Sequence, residues 1–262
     1  MTVTSASGAL NFLPVAGIPE VQPGDDLAAL LDRALAHEPN PRLQDGDVLV
    51  VAQKIVSKAE NRYVELDSVT PGAEASQLAE RCGKDARLVE LVLREASEVL
   101  RVAPGVLIVR HKLGFVVANA AIDQSNLPSH DRERALLLPA DPDASAQALR
   151  AELQKRHGIG LAVLISDSFG RAWRLGVCGT CVGCAGLRAL VDIRGEADRG
   201  GRALQVTQLA VADQLCATAT LVGGEAAEGR PVVIVRGVPR EYFADGIGAT
   251  SLLRPREQDL FR

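Results

Sequence analysis

Apolar positions along the chain fall into two spacings. Val48-Leu49-Val50-Val51-Ala52, Leu161-Ala162-Val163-Leu164-Ile165 and Val232-Val233-Ile234-Val235 are unbroken apolar runs, the pattern of strands buried on both faces. Val106–Val109 and Phe115–Ala118 read as two further strands across the turn 110–114. Leu13 to Val21 is extended and punctuated by proline. After Ala52 the first run turns polar. If it stays extended, Lys54, Val56 and Lys58 share one face, and two ammonium groups at a strand end suit either a polyphosphate or open solvent.

Other stretches repeat near 3.6. Leu27, Leu30, Leu31 and Leu35 predict a helix to about Ala36, with Asp25 and Asp26 placed to cap it. Leu88, Leu91, Val92, Ala96 and Val99 predict a long helix from about Lys84 to Arg101. Asp141-Pro142-Asp143 is a strong helix start, and Gly158 stops that helix after His157. Residues 202–213 pass from a strand-like start into a small-residue helix that ends at Gly223-Gly224. Residues 246–262 lack periodicity and are expected to form a loose C-terminal tail, leaving 1–245 as the main domain.

Composition narrows the class. A chain of 262 residues can bury a sizeable core, and 47% hydrophobic with 24% charged residues is ordinary globular chemistry. A formal net charge of -4 argues against a broad nucleic-acid or anionic-membrane footprint. No apolar stretch approaches the ~18 residues of a membrane span, and the N-terminus has no signal-peptide pattern. A cytoplasmic protein that binds neither nucleic acid nor membrane is expected.

Chemistry concentrates in Ser166-Asp167-Ser168-Phe169-Gly170-Arg171-Ala172-Trp173-Arg174, beyond an apolar strand. Asp167 and Ser168 offer hard oxygen ligands for Mg²⁺ or Mn²⁺, and Arg171 and Arg174 suit bidentate grip on phosphate or carboxylate. The alternative is an aspartate that caps the next element and arginines that pair with surface acids. A second oxygen-rich group, Asp123-Gln124-Ser125-Asn126, follows another strand and reads as an Asx-type turn or a ligand loop.

Cys178, Cys181 and Cys184 form overlapping C-x-x-C pairs, which raises a thiol metal or cluster site, or else small buried side chains in a tightly packed segment. Neither a P-loop nor a strand-linked G-x-G-x-x-G occurs, and the histidines, His37, His111, His130 and His157, are scattered. What remains is a set of carboxylates, amides and hydroxyls with lysines and arginines, the profile of phosphate and metal chemistry.

Taken in order, 13–26, 46–58, 118–126, 137–143, 166–174, 206–208 and 221–237 resemble the coenzyme F420-0:L-glutamate ligases, the F420-0 γ-glutamyl ligases. The resemblance implies an α+β fold of mixed sheets with helices, in two interwoven lobes and neither Rossmann nor P-loop. It also implies a homodimer using Mg²⁺ or Mn²⁺, two ions in all, with GTP as cosubstrate. Such an enzyme joins L-glutamate to F420-0 through an acyl phosphate, and later glutamates are linked through γ-carboxyls. A related ligase acting on another acceptor acid stays open.

By position, the resemblance implies that Ile18, Pro19, Glu20 and Val21 line the nucleotide site with Gln53, Lys58 and Asn126, and that the loop from Gly223 and Gly224 to Arg230 joins them. Asp123 and Asp167 would hold one metal, and Ser168 and residue 208 the second. Residue 208 is Gln where the family usually has Glu, which removes a charge from that site. Arg171 and Arg174 are candidates for the phosphate or the substrate carboxylate from their own chemistry. The fused reductase domain of some relatives is expected to be absent.

Overall fold

The structure, a computed structural model, describes residues 8–124 and 133–259. The strands in chain order are β1 (Asn11–Pro14), β2 (Val48–Ala52), β3 (Tyr63–Glu65), β4 (Ala96–Ala103), β5 (Val106–His111), β6 (Val116–Ala118), β7 (Arg134–Leu136), β8 (Ala162–Arg171), β9 (Arg174–Ala185), β10 (Val191–Asp192), β11 (Gln208–Leu209) and β12 (Val232–Arg236). The helices are α1 (Leu27–Leu35), α2 (Gln53–Ala59), α3 (Ala73–Cys82), α4 (Ala86–Glu95), α5 (Pro142–His157) and α6 (Val211–Gly223).

The three unbroken apolar runs become β2, β8 and β12 in one five-stranded mixed sheet, ordered β1-β12-β2-β8-β9, whose only parallel pair is β2 with β8. Strand parity explains why these runs lack alternation. Leu49, Val51, Val163, Ile165, Val232 and Ile234 face a core shared with α1 and α5, while Val48, Val50, Ala162, Leu164, Val233 and Val235 face α6. The small residues of β9 bring the helices close. A Cβ on Gly179 would lie 2.5 Å from the Cys216 carbonyl oxygen in α6, and one on Gly183 would lie 2.3 Å from the Pro142 oxygen in α5.

A second unit is inserted between α2 and α5. It holds the sheet β4-β5-β6, the ribbon of β3 with β7, and α3 and α4 around their own apolar cluster. Phe115 crosses from it into the main core and meets Phe169 edge-on at 5.9 Å between ring centroids. The mixed sheets and helices agree with the α+β expectation.

Several local expectations are met. Asp26 accepts from the Ala29 amide at the start of α1, Asp141 accepts from Ala144 at the start of α5, and Gly158 ends α5 in the left-handed region. Asp143 does more than begin a helix: its Oδ1 accepts from the amides of Cys184 and Ala249, both at 2.8 Å.

Three expectations are corrected. The chain does not stay extended after Ala52 but turns at once into α2, so Lys54 and Lys58 share a face through i,i+4 helical spacing and Val56 is buried instead. The helix expected to reach Arg101 ends at Glu95. Residues 96–103 form β4 because the β-branched Val99 and Val102 find partners in β5, and that pairing outweighs a helical period. The described part of the tail is packed: Ala249 is fully buried and Leu253 joins the main core.

Candidate functional site

At the end of the main sheet β2 stops at Ala52, while its parallel neighbour β8 continues. Ser166 lies opposite Ala52, so Asp167 and Ser168 project beyond the end of β2. They are not past the end of their own strand, as their position after an apolar run suggested. The hairpin with β9 keeps the chain extended to Arg171 and satisfies its backbone.

Between β8, α2, the loop 18–21 and the loop after α6 lies a cavity of about 320 Å³. Ile18, Pro19, Glu20, Val21, Gln53, Lys58, Asp167, Ser168, Gly223 and Gly224 line it, all singled out from sequence, as does Glu225 of the loop 223–230, together with Lys54 and Ser166, which were not assigned there. Lys54 and Lys58 reach it because they lie one helical turn apart on α2. The buried Lys58 ammonium pairs with Glu20, and Gln53 Oε1 accepts from Ser57 Oγ at 2.8 Å, which fixes its amide. Ser168 donates its hydroxyl to Glu225 Oε1 at 2.5 Å, closing the loop after α6 against β8.

Asp123 comes from the inserted unit. Lys54 Nζ lies 2.7 Å from Asp123 Oδ2 and so joins this carboxylate to the cavity wall. Just before it, Asn119, Ala120 and Ala121 all have φ between 52° and 56°. Three successive non-glycine residues in the left-handed region are costly, at ~1–3 kcal/mol each, and persist only where surrounding packing imposes them. Asp123 then exchanges both backbone hydrogen bonds with Leu136, at 3.0 and 2.9 Å, so its position is set from two sides.

Asp167 is the most perturbed acid of the site. Enclosure by protein pushes its carboxyl up to about 6 from the ordinary 3.8, and the charges of Asp123 and Glu225 push the same way. The Ser168 amide, 2.8 Å from Asp167 Oδ1, and the Lys54 ammonium oppose them.

Asp123, Asp167, Ser168 and Glu225 are hard oxygen donors, the set that suits Mg²⁺ or Mn²⁺. Among the described residues no three acidic, imidazole or thiol groups are gathered closely enough to hold an ion alone.

Three of the sequence candidates do not meet at this cavity. Arg171 and Arg174 flank the exposed tip of the β8–β9 hairpin, and Arg171 Nη2 donates to the Leu175 carbonyl. From Asp167 to Arg171 the strand advances about 13 Å, because extended chain rises about 3.3 Å per residue. Gln208 sits on the exposed β10–β11 ribbon beside Asp192. Asn126 lies outside the described residues. The acid in the cavity near Ser168 is Glu225, which its sequence position directly after the Gly223-Gly224 turn could have suggested.

The cysteine trio differs from its spacing. A register shift opposite Ser166 turns Cys181 and Cys184 toward Cys216 on α6, and Cys178 stands apart. The Cys181 and Cys184 thiols donate to the Gly183 and Leu187 carbonyls at 3.2 and 3.3 Å. Hydrogen bonding with Cys184 and Cys216, together with burial, pushes the Cys181 thiol up, and among the described residues no three thiols are placed to hold a metal ion.

The fold and site define an α+β protein whose acids, hydroxyls and lysines converge where one strand of a parallel pair outruns the other. Over residues 17–237 the chain matches the model of the family described as F420-0:Gamma-glutamyl ligase. It is 47% identical over 253 residues to the coenzyme F420:L-glutamate ligase of Methanothermobacter thermautotrophicus, covering 97% of this chain and 99% of that protein. The enzymes of the same name from Methanopyrus kandleri and Natronomonas pharaonis are 41% and 44% identical, each over 97% of this chain and over 100% and 95% of their own length. The chain belongs to the F420-0:γ-glutamyl ligase family.

Proposed function

We propose that this protein is a GTP-dependent ligase that forms an amide between L-glutamate and coenzyme F420-0. The observation that carries this reading is the convergence, on one cavity, of residues from four separate segments that the family resemblance assigns to nucleotide and metal. Lys58 and Lys54 provide cations for the phosphates, the loops 18–21 and 223–230 enclose the nucleotide, and Asp123, Asp167, Ser168 and Glu225 would hold Mg²⁺ or Mn²⁺, up to two ions. Such ions neutralise charge on the transferred phosphoryl group.

The chemistry has two steps. A carboxylate oxygen of F420-0 attacks the γ-phosphorus of GTP, the bond to the β-bridging oxygen breaks, and GDP leaves. The glutamate amine then attacks the carbonyl carbon of the acyl phosphate, inorganic phosphate departs, and the amine loses a proton. The lysines favour the first step by holding the phosphates in line. Addition of further glutamates through γ-carboxyls repeats the same two steps on a longer acceptor.

Homodimerisation and a cytoplasmic location belong to the same proposal. Trp173, Leu175 and Val177 lie exposed along the projecting hairpin, an apolar edge that suits a second copy. Among the described residues no helix is long and apolar enough to cross a membrane.

The test is incubation with F420-0, L-glutamate, GTP and Mn²⁺, followed by mass spectrometry. A product heavier by one glutamyl residue, with GDP released in equal amount, is expected. No product with any of GTP, ATP, Mg²⁺ or Mn²⁺ would overturn the proposal, and product only from a different acceptor acid would reassign the substrate.

A further inference from the structure

We infer that Lys54 is a displaceable counter-ion of the acid pair Asp123 and Asp167, so that a divalent cation enters readily only once a nucleotide's phosphates draw the ammonium away. The inference deepens the proposed function by giving its metal and nucleotide an order of binding.

The placement follows from register. Ala52 of β2 lies beside Ser166 of β8, so the first turn of α2 starts next to Asp167, which stays in β8 paired with Thr180 of β9. Lys54 on that turn lines the cavity and puts Nζ 2.7 Å from Asp123 Oδ2. The ammonium therefore stands where two carboxylates from different units of the fold come together. A divalent ion held by the same carboxylates would face a unit positive charge at a few ångströms. Charges of the same sign at that separation repel strongly in a partly buried site, so the ion is held less tightly while the ammonium stays.

Of the two partners the lysine has the longer and more flexible side chain. Asp123 is held by its two backbone hydrogen bonds to Leu136 and by the left-handed turn before it. Lys54 carries its charge on a flexible four-carbon stem whose side chain is 30% exposed into the cavity. Across the cavity wall, Ser166 is 8% exposed, and its hydroxyl has no hydrogen-bond partner among the described residues. A buried, unsatisfied hydroxyl lining a cavity marks where a ligand's polar atoms come to rest. Phosphate oxygens there give the ammonium a new partner and leave both carboxylates to the metal.

The test is Mn²⁺ binding by the intact protein, followed by electron paramagnetic resonance of the free ion, first without nucleotide and then with GDP, after subtraction of the Mn²⁺ held by GDP itself. In wild type, GDP should tighten Mn²⁺ binding at least about fivefold, the lower end of ordinary coupling between sites. In Lys54→Met, binding without nucleotide should already be tighter by about that factor and GDP should add little. Lys54→Arg, which retains the charge, should follow wild type. A general loss of structure cannot produce tighter binding, and Lys54→Gln serves if the Met variant does not fold. Unchanged or weaker Mn²⁺ binding in the neutral variants, with wild type binding normally, overturns this inference and leaves the ligase proposal standing. No Mn²⁺ binding by any form, with or without GDP, overturns both this inference and the metal part of the proposed function.

Discussion

Ser168 on β8 and Glu225 in the loop after α6 are joined by a 2.5 Å hydrogen bond although 57 positions separate them. The contact closes one side of the cavity and puts a carboxylate beside a hydroxyl expected to ligate metal. The neutral amide at Gln208 therefore does not leave this cavity short of an acid, because Glu225 supplies one.

Glu225→Gln keeps the shape and removes the charge. It should lower Mn²⁺ affinity and product formation by about 10- to 100-fold, the range seen when a hydrogen-bonded partner of a metal ligand is changed. Gln208→Ala measured in parallel discriminates between the two positions. A loss at Gln208 as large as at Glu225 would return the second metal to the β10–β11 ribbon.

Asp167 links the site to stability. In the metal-free protein its carboxyl is raised from 3.8 to about 6, chiefly by burial. Between those values the folded chain keeps a proton that the unfolded chain has released, so this contribution is fully present below about pH 4 and is lost as pH rises through 6. The loss is at most about 3 kcal/mol. Thermal melts in chelator at pH 8 should therefore find Asp167→Asn no less stable than wild type, while Mn²⁺ binding and ligation disappear. A variant that melts well below wild type, or that still turns over normally, contradicts this account.

Asp47 and Arg236 should matter for folding rather than chemistry. The fully buried Asp47 accepts from Arg236 Nε and Nη2, both at 2.8 Å, and from the Gln44 amide, tying the start of β2 to the end of β12. Asp47→Ala leaves the guanidinium without its partner and should cost about 3 kcal/mol or more in denaturant melts. A cost under about 1 kcal/mol would show that solvent replaces the pair.

The hairpin tip carries the expectation of a dimer. Trp173 and Leu175 are 87% and 99% exposed. Changing both to serine should convert a dimer into a monomer in sedimentation experiments while leaving the melting temperature nearly unchanged. Wild type that sediments as a monomer, or a double variant that remains dimeric, removes the hairpin from the interface.

Much of the site was legible in order along the chain, and its limits are instructive. Asp167, Ser168 and Lys58 stood out because an acid, a hydroxyl and a lysine following apolar runs fall near the end of a buried sheet, whereas the loop 18–21 was assigned only through the family resemblance. Arg171 and Arg174 shared the same short stretch as Asp167, but neighbours on an extended strand separate by more than 3 Å per residue, so sequence proximity carried them away from the cavity. Lys54 was noticed for its charge, yet its partner Asp123 lies in the inserted unit, and no local pattern announces that contact.

The amino-acid sequence by itself determined the buried strands, the caps of α1 and α5, and the oxygen-donor and lysine character of the site, because burial on both faces, capping and ligand chemistry are properties of short segments. Only the tertiary structure decided that β8 outruns β2, that 96–103 is a strand, that Glu225 rather than Gln208 stands beside Ser168, and that Cys216 replaces Cys178 beside Cys181 and Cys184. Each of those outcomes depends on what packs alongside a segment from elsewhere in the chain. Strand pairing and side-chain convergence are long-range energies that local spacing does not encode.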